Sequence, residues 1–135
     1  MNVLRKLAIA AAALLLACSS ASRAPLSGDV TVELDAFSGR PNPSWTLAPA
    51  EAKEFARRLR DLPAAEGSRA APERLGYRGF WIHAGQPATR ILVHDGLVVT
   101  IAPGGASTLR SDARGAEAWL VAQATRRGYG GVFGR

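Results

Sequence analysis

Between Val30 and Asp35 apolar and polar residues alternate, with Val30, Val32 and Leu34 set against Thr31, Glu33 and Asp35. A period of two places the three aliphatics on one face of a strand. From Pro49 the period changes. Ala52, Phe55, Ala56, Leu59 and Leu62 recur at helical spacing, Pro49 suits a first helical turn and Pro63 stops the run, so the pattern predicts a helix ending at Leu62. Its other face carries Glu51, Lys53, Glu54, Arg57, Arg58, Arg60 and Asp61, with Glu54 to Arg58 and Arg57 to Asp61 spaced for pairing across one turn. This reads as a solvated face, with an anionic-partner role for Arg57, Arg58 and Arg60 as the lesser alternative. Ala48 stands where a capping serine is expected, so the usual side-chain cap is missing.

Further along, Tyr77 to His83, Thr89 to His94 and Leu97 to Ala102 are rich in aromatic and β-branched residues and predict three successive antiparallel strands. Asp95-Gly96 is a two-residue hairpin signal that pairs His94 with Leu97 and Leu92 with Val99. Ser111 or Asp112 then caps a second helix whose inner side is Ala113, Ala116, Leu120 and Ala124, with Gly128 as its stop. The tail from Tyr129 to Arg135 either hangs free or lays Val132 and Phe133 on the sheet. The predicted order is β-α-β-β-β-α, a single small α+β domain with a mostly antiparallel sheet and two helices.

The first residues follow a different logic. Arg5 and Lys6 form a short basic region, Leu7 to Ala17 an apolar run, and Leu15-Leu16-Ala17-Cys18 closes it. That run is shorter than the roughly 20 residues a membrane-spanning helix needs and has the plan of an export signal. The segment resembles bacterial lipoprotein signal peptides with their lipobox. The resemblance implies cleavage before Cys18, acylation of that cysteine, and a palmitate-bearing anchor; Ser19, instead of an aspartate, implies the outer membrane facing the periplasm over the inner membrane. The chain then divides into a signal peptide at 1–17, a lipidated flexible tether at 18–28 and an α+β domain at 29–135. Cys18 is the sole cysteine, so no disulfide assists the fold.

Charge adds little. Of 17 basic residues in the chain of 135, Arg5 and Lys6 fall in the leader, leaving 15 against 11 acidic ones, a net of +4. Without a basic stripe interleaved with aromatics, nucleic acid is not an expected partner. His83 and His94 are the only histidines. The predicted hairpin sets them about 17 Å apart at roughly 3.3 Å per residue, so no shared metal and no cofactor is expected. Ser107 lies in a stretch lacking the second glycine of a nucleophile elbow. The glycines from Gly128 to Gly134 follow a helix instead of opening one, unlike a phosphate loop. No catalytic set is assigned.

The most unusual stretch is Phe37-Ser-Gly-Arg-Pro-Asn-Pro-Ser-Trp45, where two prolines and a glycine restrict the backbone around a guanidinium, an amide and an indole. A rigid loop loses less entropy on binding, which makes Arg40, Asn42 and Trp45 the candidate binding residues. The structural alternative has Trp45 in the core and Arg40 paired with a carboxylate such as Asp35. This loop, the helix opening at Pro49 and Leu75-Gly-Tyr-Arg-Gly-Phe80 together resemble a small uncharacterised bacterial domain with an SGRPNPxW loop, a resemblance that implies no activity. The expectation is a lipid-anchored envelope protein with a non-catalytic binding domain, its partner an envelope protein or a cell-wall or lipid headgroup ligand. The alternatives are a small envelope hydrolase using His83 or His94 with Asp35 or Asp95, and a purely structural envelope component.

Overall fold

The computed structural model describes residues 26–67 and 75–134. The expected signal peptide, Cys18 and most of the expected tether lie outside the described residues. The chain forms a six-stranded sheet and two helices: β1 (Val30–Asp35), β2 (Ser44–Thr46), α1 (Pro49–Arg58), β3 (Gly79–Ala84), β4 (Thr89–His94), β5 (Leu97–Ile101), β6 (Ser107–Ser111) and α2 (Ala116–Ala124). The strand order is β2-β1-β3-β4-β5-β6, and every neighbouring pair is antiparallel. The fold is α+β, as the hydrophobic pattern predicts.

The aliphatics of β1 set the inner face. Val30, Val32 and Leu34 are buried, and in register with them lie Ala84, Ile82 and Phe80 of β3. Ile91, Val93 and Val98 carry the same face into β4 and β5. Phe55 of α1 and Ala116, Leu120 and Ala124 of α2 join this one cluster, so both helices close the same side of the sheet. The opposite face carries a row of its own: the register aligns Trp81, Leu92, Val99 and Leu109, none of them part of that cluster, with the Arg90 guanidinium 5.3 Å from the Trp81 ring.

The hairpin at Asp95-Gly96 forms as its dipeptide requires: both residues have positive φ, 51° and 72°, and His94 pairs with Leu97 and Leu92 with Val99. Other boundaries differ from the sequence expectation. α1 ends at Arg58 with Leu59 as its cap, and Asp61 adopts φ 54°, yet Leu62 remains buried. The helical period persists here without a helix, because a returning backbone also buries Leu62. Arg57 consequently turns back to Glu54 at 2.8 Å instead of reaching Asp61, while Glu54 meets Arg58 at 2.8 Å.

β2 and β6 are additions to the predicted order. β2 has three residues inside a proline-rich stretch, and β6 (Ser-Thr-Leu-Arg-Ser) holds a single aliphatic, so neither shows an alternation long enough to read. Ser111 accordingly ends a strand instead of capping α2. Asp112 performs the capping, its carboxylate accepting the Ala116 and Glu117 backbone N–H groups at 2.7 and 2.8 Å. Ala113 precedes the helix and is exposed. At α1 the missing cap is half replaced: Glu51 reaches back to accept the Ala48 N–H at 2.9 Å.

One edge of the sheet is covered and the other is short. Along β6, Ser111 N–H donates to Pro63 O and Ala65 N–H to Leu109 O, while β2 is short and preceded by Pro43. Past α2 the chain turns at Gly128 (φ 90°), and Phe133 packs its ring against Tyr77 and Phe80, with centroids 5.1 and 6.1 Å away. No helix among the described residues is long and apolar enough to cross a membrane.

Gly79 opens β3 at φ 114°, and a Cβ there would stand 2.6 Å from His94 Cβ and 2.8 Å from Val93 O. Strain and overpacking add at such a position. Gly79→Ala is expected to destabilise the domain by about 2 kcal/mol or more; a denaturation midpoint equal to that of the wild type would contradict the close approach.

Candidate functional site

The loop between β1 and β2 owes its shape to one amide. Asn42 Oδ1 accepts the backbone N–H groups of Ala36 at 3.2 Å and Phe37 at 3.0 Å. Its Nδ2 donates to Glu33 Oε1 at 3.0 Å and Asp35 Oδ1 at 3.3 Å. An amide has two donor hydrogens and two acceptor lone pairs, so these bonds use all of its capacity. Asn42 therefore holds the loop shut and has nothing left to offer a ligand.

Asp35 also pairs with Arg78, which enters β3 from the far side of the chain and donates to Ser38 Oγ at 3.4 Å and to Phe37 O at 3.4 Å. The carboxylate that neighbours Arg40 in sequence is thus taken by a different arginine. Arg40 is exposed, and its guanidinium carbon lies 3.7 Å from the centroid of the Phe37 ring. That stacking restricts the side chain, and among the described residues its guanidinium has no hydrogen bond or ion pair.

Trp45 takes a third role. Its indole meets Phe80 edge-on at 6.4 Å and stacks on Tyr129 at 6.4 Å, and the Arg127 guanidinium carbon is 5.0 Å from the indole. It is partly buried against the core, and its Nε1 is buried without a hydrogen-bond partner among the described residues. Trp45 thus joins the loop to the tail. Arg127 continues the link, facing Glu51 of α1 at 3.9 Å. The Ala48 N–H, the Gln123 amide and Arg127 with Arg126 outweigh the effect of burial and hold the Glu51 carboxyl below its ordinary range.

Between these elements lies a cleft of about 550 Å³, with Phe37 and Arg40 on one wall and Tyr129 and Val132 on the other. Gly76, Gly128 and Gly131 also line it. Glycines leave backbone groups open to approach, and Arg40 is the only charged residue in the lining. The arrangement suits a small anionic or hydrogen-bonding group entering beside an aromatic floor.

The histidines are placed elsewhere. His83 pairs in register with Arg90, while His94 sits at the other end of β4. The nearest acid to His94 is Glu117, with Nδ1 3.4 Å from Oε1, whereas Asp95 occupies the exposed turn. Glu117 Oε1 also accepts the Tyr77 hydroxyl at 2.7 Å, and Oε2 accepts the Gly96 N–H at 3.0 Å. Burial pushes the Glu117 pKa up, but the Gly96 N–H, the Tyr77 hydroxyl, the Asp95 N–H and His94 together hold it below the ordinary 4.5. This carboxylate stabilises the fold above that ordinary value, and the contribution is lost as pH falls through its folded pKa. Glu117 carries no sequence signal, since its partners lie 21 and 40 residues away. Among the described residues, no three His, Cys, Asp or Glu side chains gather as a metal site.

Compared with known protein families, curated proteins and solved structures, the chain matches none.

Removing the Asn42 amide strands two backbone donors and brings Glu33 and Asp35 together without a shared donor. Asn42→Ala is expected to lower stability by about 2 kcal/mol, in line with the cost of unsatisfied, partly buried groups. Thermal melting checks this, and an unchanged midpoint would show that the loop holds itself.

Proposed function

We propose that this chain is the precursor of a lipid-anchored cell-envelope protein, tethered through Cys18 to the outer membrane and presenting a non-catalytic binding domain to the periplasm. The leader ending in Leu15-Leu16-Ala17-Cys18 supports the anchor. The observation that carries the binding role is Arg40: an exposed guanidinium held over Phe37 at the wall of a cleft, while the neighbouring carboxylate is occupied by Arg78. A guanidinium fixed in place meets an anionic group with less ordering cost than a free one.

In this reading Asn42 and Trp45 shape the site and Arg40 makes the contact. The partner presents a carboxylate or phosphate, on an envelope protein, the cell wall or a lipid headgroup. Asn42 keeps the loop closed whether or not the cleft is filled, and the Trp45–Tyr129 stack sets the distance between its walls. The loop and the tail are two separate segments, so the cleft exists only in the folded chain.

The anchor and the cleft are tested separately. Cys18→Ser is expected to abolish palmitate incorporation, and labelling that persists would end the lipoprotein reading. Arg40→Ala is expected to weaken capture of the envelope partner about tenfold with a melting temperature within a degree or two of wild type. A large loss of stability would instead make Arg40 part of the fold, and unchanged capture would remove the cleft as the site. Photo-crosslinking from position 40, read against a position on the far sheet face, identifies the partner.

A further inference from the structure

At the other end of the sheet lies a second and larger concavity, of about 710 Å³. It lies between the exit of α1 and strands β4 to β6, over the buried Ile91, Val98 and Leu62. α1 stops at Arg58, and α2 lies against β3 and β4. Ile91, Val98 and Thr100 form the sheet side of the groove, and Ala56, Leu59 and Leu62 form the opposite wall. Its volume falls within the roughly 300 to 1,000 Å³ of small-molecule sites.

Two features select an occupant. Arg60 and Arg110 are the only charged residues in the lining, no aspartate or glutamate lines the groove, and neither arginine has an ion pair among the described residues. An apolar trough with two cations complements an apolar body with an anionic head. In addition, the backbone groups of β4, β5 and β6 are engaged in their own ladders, leaving little for the main-chain bonds an extended peptide needs. A hydrocarbon chain needs none.

We propose that the groove between α1 and the inner face of β4–β6 binds a long-chain fatty carboxylate, its alkyl chain along the apolar floor and its carboxylate on Arg60 and Arg110. The site is separate from the Arg40 cleft and does not depend on it. The chain enters the domain beside this groove, since Leu26 and Ser27 line it. An acyl group carried on Cys18, however, is ester- or amide-linked and brings no carboxylate to the two arginines, so the free acid is the better complement.

Palmitate is titrated calorimetrically into the full-length Cys18→Ser chain and into the lipidated wild type. Saturable one-to-one binding to both is expected, with hexadecanol, the uncharged analogue, at least about tenfold weaker. The Arg60→Glu/Arg110→Glu double variant should lose about tenfold or more toward palmitate while keeping its affinity for hexadecanol. Thr108→Trp, which fills the trough, should abolish binding of both. Ala106→Trp, in the exposed turn that lines the same groove, gives the same reading if Thr108→Trp melts early. Absence of saturable palmitate binding, equal affinity for the alcohol, or indifference to both filling variants would overturn the proposal. Binding by Cys18→Ser but not by the lipidated wild type would overturn it as well, assigning the groove to the chain's own acyl group.

Discussion

Phe80 is the side chain on which the elements around the Arg40 cleft meet. It is fully buried on β3, and Trp45 of β2, Tyr77 just before β3 and Phe133 of the tail meet its ring. Offset and edge-on aromatic contacts each add about 0.5 to 1.5 kcal/mol beyond burial. More important here is their geometry, because rings locked against one another fix the separation of elements that share no hydrogen-bonded ladder. The tail after α2 has no strand to join, and its position rests on this cluster and on the Trp45–Tyr129 stack.

A second constraint is electrostatic. Glu33 and Asp35 are two carboxylates on one strand, and Asn42 donates to both while Arg78 neutralises one of them. The same pattern recurs at α2, where Glu117 accepts from the hairpin and from Tyr77. In both places a carboxylate near the end of a strand or helix collects donors from segments distant in sequence. These polar clamps fasten the connections, whereas the aliphatic cluster fastens the layers.

How far the sequence could be read follows from this division. β1 and the β4–β5 hairpin were legible because their signals are local: a period of two, and a dipeptide that tolerates positive φ at both positions. The end of α1 was not, because Leu59 and Leu62 keep the helical period after the backbone has left the helix. β6 was hidden for the opposite reason, since an edge strand half in water needs few apolar residues. The loop was legible as a rigid feature, but the roles of Arg40, Asn42 and Trp45 were not. Arg40 is a neighbour of Asp35 in sequence, yet Arg78, 43 residues away, holds that carboxylate. Such choices are made by the fold, and only local spacing is written along the chain.

The covered edge at β6 and the brevity of β2 have a consequence for behaviour in company. Unpaired strand edges template the addition of further strands. Here the segment around Ala64 pairs with β6, and β2 is too short and too proline-flanked to extend. Strand addition along β6 is therefore blocked, and at β2 it is limited to a stretch of three residues.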